Sequence, residues 1–494
     1  MMKKIARIIC LTLVLLMCFS SLLACNNSQD NNNNNDDDND IPTTKKDFGN
    51  VDYTILSRDT SEYEFDNSGE GTDDKVLRKV WERNVFIKDE YNVNVKTVGE
   101  PGDWSVRDAF IAKVRSSVFS GADEFSLVST HSSYMQAMAV EGFAHNLAEI
   151  PEIDLDAAWW SGSYYQNSKI NDAAYVLVGD ISLSLYETIE VVFFNVSLAE
   201  AYQMGDLYKL VEDGKWTLDE MIRLTKVAGG FSNVENKEYG LLTNSHATRT
   251  FAASLGLKYT NKDGSTGLQK FRTSVPAKMD TVFKQIVDFY TKESVLYGND
   301  GTSSAEGELN PIFSNGDAVF YLQMLGEAEY FAAAMVDYKY SVLPFPKLEE
   351  GTDSGYKSSC ADRFSAQLIP VSVVDKEMVG TVTEALCKYG KEIITPEYYE
   401  QRLKFRYFDD HQVQSMLDII REGLTFDFSM IYTFAFENAA GGSPYSSFSA
   451  IAKKNVESPG SDTLAFCWQN NQRQWNTALT NLYKSFNKLQ EKGE

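Results

Sequence analysis

The residues that most often carry chemistry are sparse or badly spaced in this chain. Its four histidines, His131, His145, His246 and His411, form neither an HExxH pattern nor any i, i+4 pair, so a zinc hydrolase would find no two ligands on one helix face. There is no GxSxG elbow and no Walker loop; Gly69-Glu70-Gly71 lacks a third glycine and follows an acidic loop instead of opening a helix. Between Tyr259 and Lys270, Asn261, Asp263 and Gly264 fall at calcium-loop offsets, but Tyr259 and Lys270 stand where acidic ligands are required, and the segment reads as a polar turn. The 70 acidic residues offer many carboxylate pairs for glycoside hydrolysis, yet that reaction depends on a separation in space that sequence does not supply. The expectation is a chain with no catalytic residue, no metal and no cofactor.

The elements that would hold a binding site are ample. A chain of 494 residues, 43% hydrophobic and 13% aromatic, has enough apolar surface for about two or three globular domains. Lys+Arg 46 against Asp+Glu 70 leaves a net charge of −24, which repels phosphate backbones and anionic headgroups, so nucleic acid is not an expected partner.

The N-terminus is the most specific stretch. Lys3, Lys4 and Arg7 precede an apolar run from Ile8 to Leu23, followed by Leu22-Leu23-Ala24-Cys25. This resembles a bacterial lipoprotein signal peptide over residues 1–24 with its lipobox, which implies a lipid (diacylglycerol and palmitate-type acyl chains) on Cys25. Residues 25–46, with the run Asn31 to Asn35 and then Asp36, Asp37, Asp38 and Asp40, can bury nothing and read as a disordered tether. Cys10 and Cys18 leave with such a leader. Cys360, Cys387 and Cys467 remain, none of them in a CxxC pattern; an odd number permits at most one disulfide, and each reads as a small buried hydrophobe.

From Asp52 the pattern alternates. Tyr53 to Leu56 is strand-like; Asp74 to Tyr91 places Leu77, Val80, Trp81 and Val85 at helical spacing; Val93, Val95 and Val98 alternate as a strand; Val106 to Ser120 is an amphipathic helix closed by Gly121; and Phe125 to Ser129 reads as a buried strand. Strand, helix, strand, helix, strand predicts a parallel sheet with crossover helices and ligand-facing loops at the strands' carboxyl ends, beginning at Arg58 and Thr130. Further on, Thr217 and Glu220 have the capping-box form ahead of a helix from Met221 to Val227. Helices are expected over Met279 to Tyr290, Asp375 to Tyr389, Gln412 to Arg421 and Thr463 to Leu489, and a strand over Tyr340 to Leu343, stopped by Pro344 and Pro346.

Four segments in this order resemble the extracellular solute-binding proteins of ABC importers, in their sugar-binding, maltose-type lineage (family 1). They are Phe125 to Thr130 with Ser133-Tyr134-Met135 and Phe143 to Leu147; Ser182 to Val192 running into Phe193-Phe194-Asn195; Lys215 to Met221, where Trp precedes Thr and the family's Pro is missing; and Phe313 to Phe320 with Tyr340 to Pro346. The resemblance implies an α/β, two-lobed periplasmic-binding-protein type II fold with a hinge between lobes. Lobe one would comprise residues 47–180 and 355–395, and lobe two 181–354 and 396–494. It implies a lipid-anchored, extracytoplasmic, monomeric binding subunit that holds a carbohydrate in the cleft and hands it to permease subunits, without catalysis. A surface-anchored glycan hydrolase with paired carboxylates is the alternative.

A sugar offers C–H faces that stack on aromatic rings and hydroxyl rims that need paired donors and acceptors. Lobe one can supply Arg58, Trp104, the Ser129-Thr130-His131 turn and Asp362-Arg363; lobe two can supply Gln323, Met324 and Glu327 after a strand ending at Tyr321; Tyr186, on the crossing strand, would lie on the cleft floor. Trp159-Trp160, in an expected amphipathic helix, is a further aromatic candidate. The leader yields a first test: Cys25→Ser should move the protein into the soluble or unprocessed fraction of fractionated cells, and a processed variant that stays with the membrane would defeat the lipid-anchor reading.

Overall fold

Val51–Arg58 (β1) pairs in parallel with both Val93–Glu100 (β2) and Leu127–His131 (β3) in the computed structural model, which describes residues 46–229, 238–298, 304–351, 355–399, 411–437 and 442–493. The leader, Cys25 and the Asn/Asp-rich tract lie outside the described residues. The expected strand–helix alternation is present: Lys75–Tyr91 follows β1 and Arg107–Ser120 follows β2. The first helix starts where the Asp74 carboxylate accepts the N–H groups of Val76 and Leu77, and it stops at Asn92, which adopts the left-handed conformation at φ 54°.

Glu190–Asn195 (β4), Tyr239–Thr243 (β5), Val295–Tyr297 (β8), Ala318–Met324 (β9) and Tyr340–Leu343 (β10) build a second sheet in the order β10-β4-β9-β5-β8, while Thr260–Lys262 (β6) and Gln269–Phe271 (β7) form a separate hairpin. Ser365–Leu368 (β11) returns to the first sheet, antiparallel to β3, completing the order β11-β3-β1-β2. The segment Tyr259 to Lys270, read as a polar turn, is the β6–β7 hairpin itself: only the residues between Lys262 and Gln269 form the turn, and Asp263 receives Lys270 at 2.7 Å.

Each sheet is buried on both faces, as parallel strands require. Along β1, Tyr53 and Ile55 face a core shared with Ile87, Val382 and Leu386, and Leu56 faces the opposite core with Phe110 and Val114. In the second sheet Phe193 meets Phe331 at 5.0 Å between ring centroids, and Phe313 meets Phe331 at the same distance. The tight Asn315-Gly316-Asp317 turn into β9 needs its glycine: φ is +82°, and a Cβ would sit 2.3 Å from the Tyr338 ring.

The chain crosses between the sheets twice among the described residues, and the two crossings pair. Glu190 donates its N–H to the Ser359 carbonyl at 3.0 Å, and Ala361 donates to the Thr188 carbonyl at 2.9 Å. With these narrow, antiparallel connections the fold is two-lobed with a hinge.

Several local expectations are corrected. Ser182 to Val192 is not one strand: Ser184–Glu187 coils into a single helical turn, and β4 starts only at Glu190. Trp159 and Trp160 lie in turns, not a helix, and both indoles donate to Glu384, at 2.9 and 2.8 Å. Thr217 does accept the Glu220 N–H at 3.3 Å, but Glu220 grips Arg223 instead of reaching back. β9 runs past Tyr321 to Met324, so Gln323 and Met324 are strand residues. The three described cysteines are buried free thiols.

Trp216 is wholly buried, donates to the Pro344 carbonyl at 2.8 Å and packs 6.0 Å from Phe320. Trp216→Ala should therefore cost about 3–5 kcal/mol, from cavity formation and an orphaned carbonyl. Chemical denaturation would read this as a lower midpoint at unchanged slope, and a loss under about 1 kcal/mol would show that the site collapses around the smaller side chain.

Candidate functional site

Beside the hinge lies a cavity of about 400 Å³ whose walls come from five separate stretches of chain. The loop after β1 supplies Arg58, Ser61 and Tyr63; the hinge turn supplies Ser184, Glu187 and Thr188; the end of β9 and the loop after it supply Met324, Gly326, Glu327 and Glu329. Arg363, just ahead of β11, and Tyr398 complete it.

These groups are held by hydrogen bonds that the fold sets up locally. Arg58 closes β1, is 7% exposed, and donates from Nε to the Ser61 hydroxyl at 2.8 Å, with Asp103 at 3.9 Å. The Tyr63 hydroxyl donates to Glu187 at 2.6 Å; burial, and then the carboxylates of Glu187 and Glu64, push this phenol far above its ordinary value, so it remains a donor at neutral pH. Glu64, buried behind it, accepts the Ser184 N–H at 2.7 Å, and burial raises its carboxyl. Gly326 passes close to the hinge: a Cβ there would stand 3.1 Å from the Glu187 carbonyl, a tight contact to which the hinge turn would have to give way by a few tenths of an ångström.

Arg363 donates to the Met324 sulfur at 3.0 Å, which joins a residue ahead of β11 to the end of β9. Glu327 accepts from Asn310 at 2.8 Å. Arginines, carboxylates, hydroxyls and two tyrosine rings thus face one space, an arrangement suited to a neutral polyhydroxylated ligand that both donates and accepts hydrogen bonds.

A second polar group adjoins the first. Asp362 pairs with Arg249 of the helix Ser245–Ser254 at 3.7 Å, an ion pair that links the segment ahead of the first sheet's β11 to a helix following the second sheet's β5. Burial opposes ionisation of Asp362, but the charge of Arg249 outweighs it and holds the carboxyl below its usual range. The Arg249 guanidinium also lies 5.7 Å from the Tyr445 ring. His131 bonds through Nδ1 to the Ser133 hydroxyl at 2.7 Å and stacks on Tyr134 at 5.8 Å; burial, reinforced by Arg58, pulls its imidazole down to about 3. Trp104 is 42% exposed, with Arg107 over its ring at 4.0 Å, a solvent-facing aromatic surface next to His131.

Of the residues singled out in the sequence, Arg58, Met324, Glu327 and Arg363 meet in the cavity, and Trp104, His131 and Asp362 belong to the adjoining group. The others are engaged inside the protein. Ser129 accepts from Gln367 at 3.2 Å; Thr130 bonds the Tyr134 hydroxyl at 2.6 Å; Gln323 donates to the Tyr321 hydroxyl at 2.8 Å. Tyr186 sits on the hinge turn instead of a strand, is 6% exposed, bonds Asp180 and packs edge-on to Tyr399 at 5.0 Å. Sequence reading missed Tyr63, Glu187, Arg249, Tyr398 and Tyr445; Glu187 stands within the quoted segment Ser182 to Val192 but is not singled out there, the others stand in no motif, and only the crossing of the chain brings them near the cleft. Among the described residues no group of histidine, cysteine and carboxylate side chains is arranged to hold a metal ion, and no helix is long and apolar enough to cross a membrane.

No family model matches the chain, and no curated protein does. Solved structures do. The galacto-N-biose-/lacto-N-biose I-binding protein of an ABC transporter from Bifidobacterium longum, in complex with lacto-N-biose, is 15% identical and superimposes with a TM-score of 0.56 over 88% of this chain and 99% of its own. The GacH receptor of Streptomyces glaucescens, solved unliganded and with acarbose, is 11% identical, with a TM-score of 0.51 over 87% and 99%. The chain has the two-lobed fold of these two binding proteins.

The depressed His131 pKa carries a sign. Unfolded, this imidazole takes up a proton near pH 6.5; folded, only near pH 3, so the unfolded state binds more protons in between and stability falls as pH drops through that window. Relative to His131→Gln, which keeps a hydrogen-bonding group but cannot titrate, the parent protein should lose about 2 kcal/mol between pH 7 and pH 5. Paired denaturation curves at the two pH values measure it, and a gap independent of pH would mean that His131 titrates normally in the folded protein.

Proposed function

We propose that this protein is a lipid-anchored extracytoplasmic substrate-binding subunit of an ABC importer, which holds a mono- or oligosaccharide in the cleft between its lobes and delivers it unchanged to the permease. The observation that carries the proposal is the cavity of about 400 Å³ beside the hinge, walled from both sheets by arginine, carboxylate, hydroxyl and tyrosine groups. Its size falls within the roughly 300–1,000 Å³ of small-molecule sites. The solved structures of this fold cited above are described as holding lacto-N-biose or acarbose.

On this reading lobe one comprises residues 47–180 and 355–395, and lobe two 181–354 and 396–494. The anchor on Cys25 holds a monomer to the outer face of the cytoplasmic membrane, on a tether long enough to meet permease subunits. A ligand that touches Arg58 and Arg363 on one side and Met324 and Glu327 on the other favours the closed arrangement by its differential affinity for it, and transfer requires the lobes to reopen.

A thermal-shift screen of the full chain in detergent against mono- and oligosaccharides tests the proposal. A cognate sugar at 100 times its Kd should stabilise the folded state by about 2.7 kcal/mol. Arg363→Ala should weaken that sugar by about 1–3 kcal/mol, since it removes a donor from a desolvated site, while the sugar is recovered chemically intact. Failure of every sugar to stabilise the protein, or turnover of the sugar, would defeat the reading.

A further inference from the structure

A second cavity, of about 380 Å³, lies at the carboxyl end of the helix Ser245–Ser254. His246 is in the first turn of that helix and Arg249, which pairs with Asp362, is at its middle, five residues before Ser254, a rise of about 7.5 Å. The second cavity shares no lining residue with the one beside the hinge.

Its composition runs against that of the whole protein. In a chain of net charge −24, the walls carry Lys258, Arg272, Lys278, Lys347 and Lys357 against a single carboxylate, Glu349. Lys278 pairs with Glu349 at 3.0 Å. The other four cations have no ion pair among the described residues: Arg272 donates to the Lys258 carbonyl at 3.3 Å, and Lys347 lies 4.6 Å from the centre of the Tyr356 ring. Many lysines elsewhere sit against a carboxylate, as in Lys96–Asp52, Lys113–Glu100 and Lys284–Asp280, and here four cations without an ion pair line one concavity. Asp427 lies within the field of Lys258, but it does not line the cavity, and burial holds its carboxyl above its usual value.

Two further features add to the positive field and the hydrogen-bonding capacity. Pro276, Lys278 and Met279 bring the start of the helix Ala277–Tyr290 to the wall, and no side chain caps it, so its first N–H groups and the positive end of its dipole face this region. Ser254, 4% exposed and also in the wall, has a hydroxyl with no hydrogen-bond partner. Four uncompensated cations around one concavity repel each other, and an anion with several oxygens relieves that repulsion while it takes up the idle donors.

We propose that the cavity formed by Lys258, Arg272, Lys347, Lys357 and Ser254 is a binding site for a phosphate-type polyanion, separate from the ligand cleft. Such phosphate can come free in solution or from a lipid headgroup.

Calorimetric titration of the full chain with pyrophosphate should give saturable binding that weakens as salt is raised. The double variant Lys347→Gln/Lys357→Gln should bind at least tenfold more weakly, and Lys347→Arg/Lys357→Arg, which keeps both charges and the contact with Tyr356, should retain affinity. Melting curves of both variants confirm folding. Flotation of the unlipidated Cys25→Ser chain with phosphatidylglycerol vesicles forms the second arm. Vesicle binding that the Gln variant abolishes, without pyrophosphate binding, assigns the phosphate to a headgroup; pyrophosphate binding alone assigns it to a free anion. Binding of neither probe, or binding that the Gln variant leaves unchanged, overturns the proposal.

Discussion

Two backbone hydrogen bonds, from Glu190 to Ser359 and from Ala361 to Thr188, pair two of the segments by which the chain passes between its sheets. Everything said of the cleft depends on how little material that is. The residues there are small or turn-forming, Ser358-Ser359-Cys360-Ala361 opposite the single turn Ser184–Glu187, a connection at which a few dihedral changes can reorient one sheet against the other. The loop after β1 is bound to the same hinge: Glu64 accepts from Ser184, and Tyr63 donates to Glu187. A carboxylate and a phenol that are costly to bury are kept because they fix the cavity wall to the axis about which it moves.

The electrostatics of the cleft follow from the same geometry. The Asp362–Arg249 pair joins groups from opposite sides, each side chain still 17–18% exposed. Partial desolvation offsets much of the attraction in such a pair, so it steers closure without locking it. His131, kept neutral by burial and by Arg58, adds no third charge to this balance at physiological pH. On the function proposed above, closure is then decided by what fills the cavity, which is the behaviour a receptor needs if it is to distinguish loaded from empty.

Much of the framework was legible before any coordinates. The period-2 run at Tyr53 to Leu56, the helical spacing of Lys75–Tyr91 and the strand at Tyr340–Leu343 carry their own local signal, because burial on a sheet or helix face imposes a period on the side chains. Capping at Thr217 was half legible: the hydroxyl behaves as expected, but Glu220 has a better partner in Arg223 than the backbone. The site was legible only where it coincides with a strand end, as at Arg58 and Arg363. Tyr63 and Glu187 are 124 positions apart, and Arg249 and Asp362 are joined only by the approach of two lobes; no local pattern records such pairs. The misreading of Tyr186 has a physical cause as well, since Leu183, Leu185 and Ile189 are apolar both in a strand and in a buried helical turn, where periodicity over so few residues cannot separate the two.

The polar residues that do not reach the cavity explain why those that do are held in place. Gln323 is tied to Tyr321, and Tyr321 to Asn310, which in turn holds Glu327. Gln367 spans Ser129 on β3 and Ser182 before the hinge. Thr130, Tyr134 and the Gly102 carbonyl form a chain of contacts behind Arg58, at a point where a Cβ on Gly102 would strike Arg58 at 2.6 Å. Apart from Gln367 Oε1, which is buried without a partner, these networks are satisfied inside the protein, so their members have few free donors or acceptors to give a ligand. What they supply is rigidity at the ends of β1, β3 and β9. On the proposed function, a side chain such as Arg58 or Met324 placed on a strand end that cannot shift loses less freedom when a ligand arrives, and more of the contact energy remains for closing the hinge.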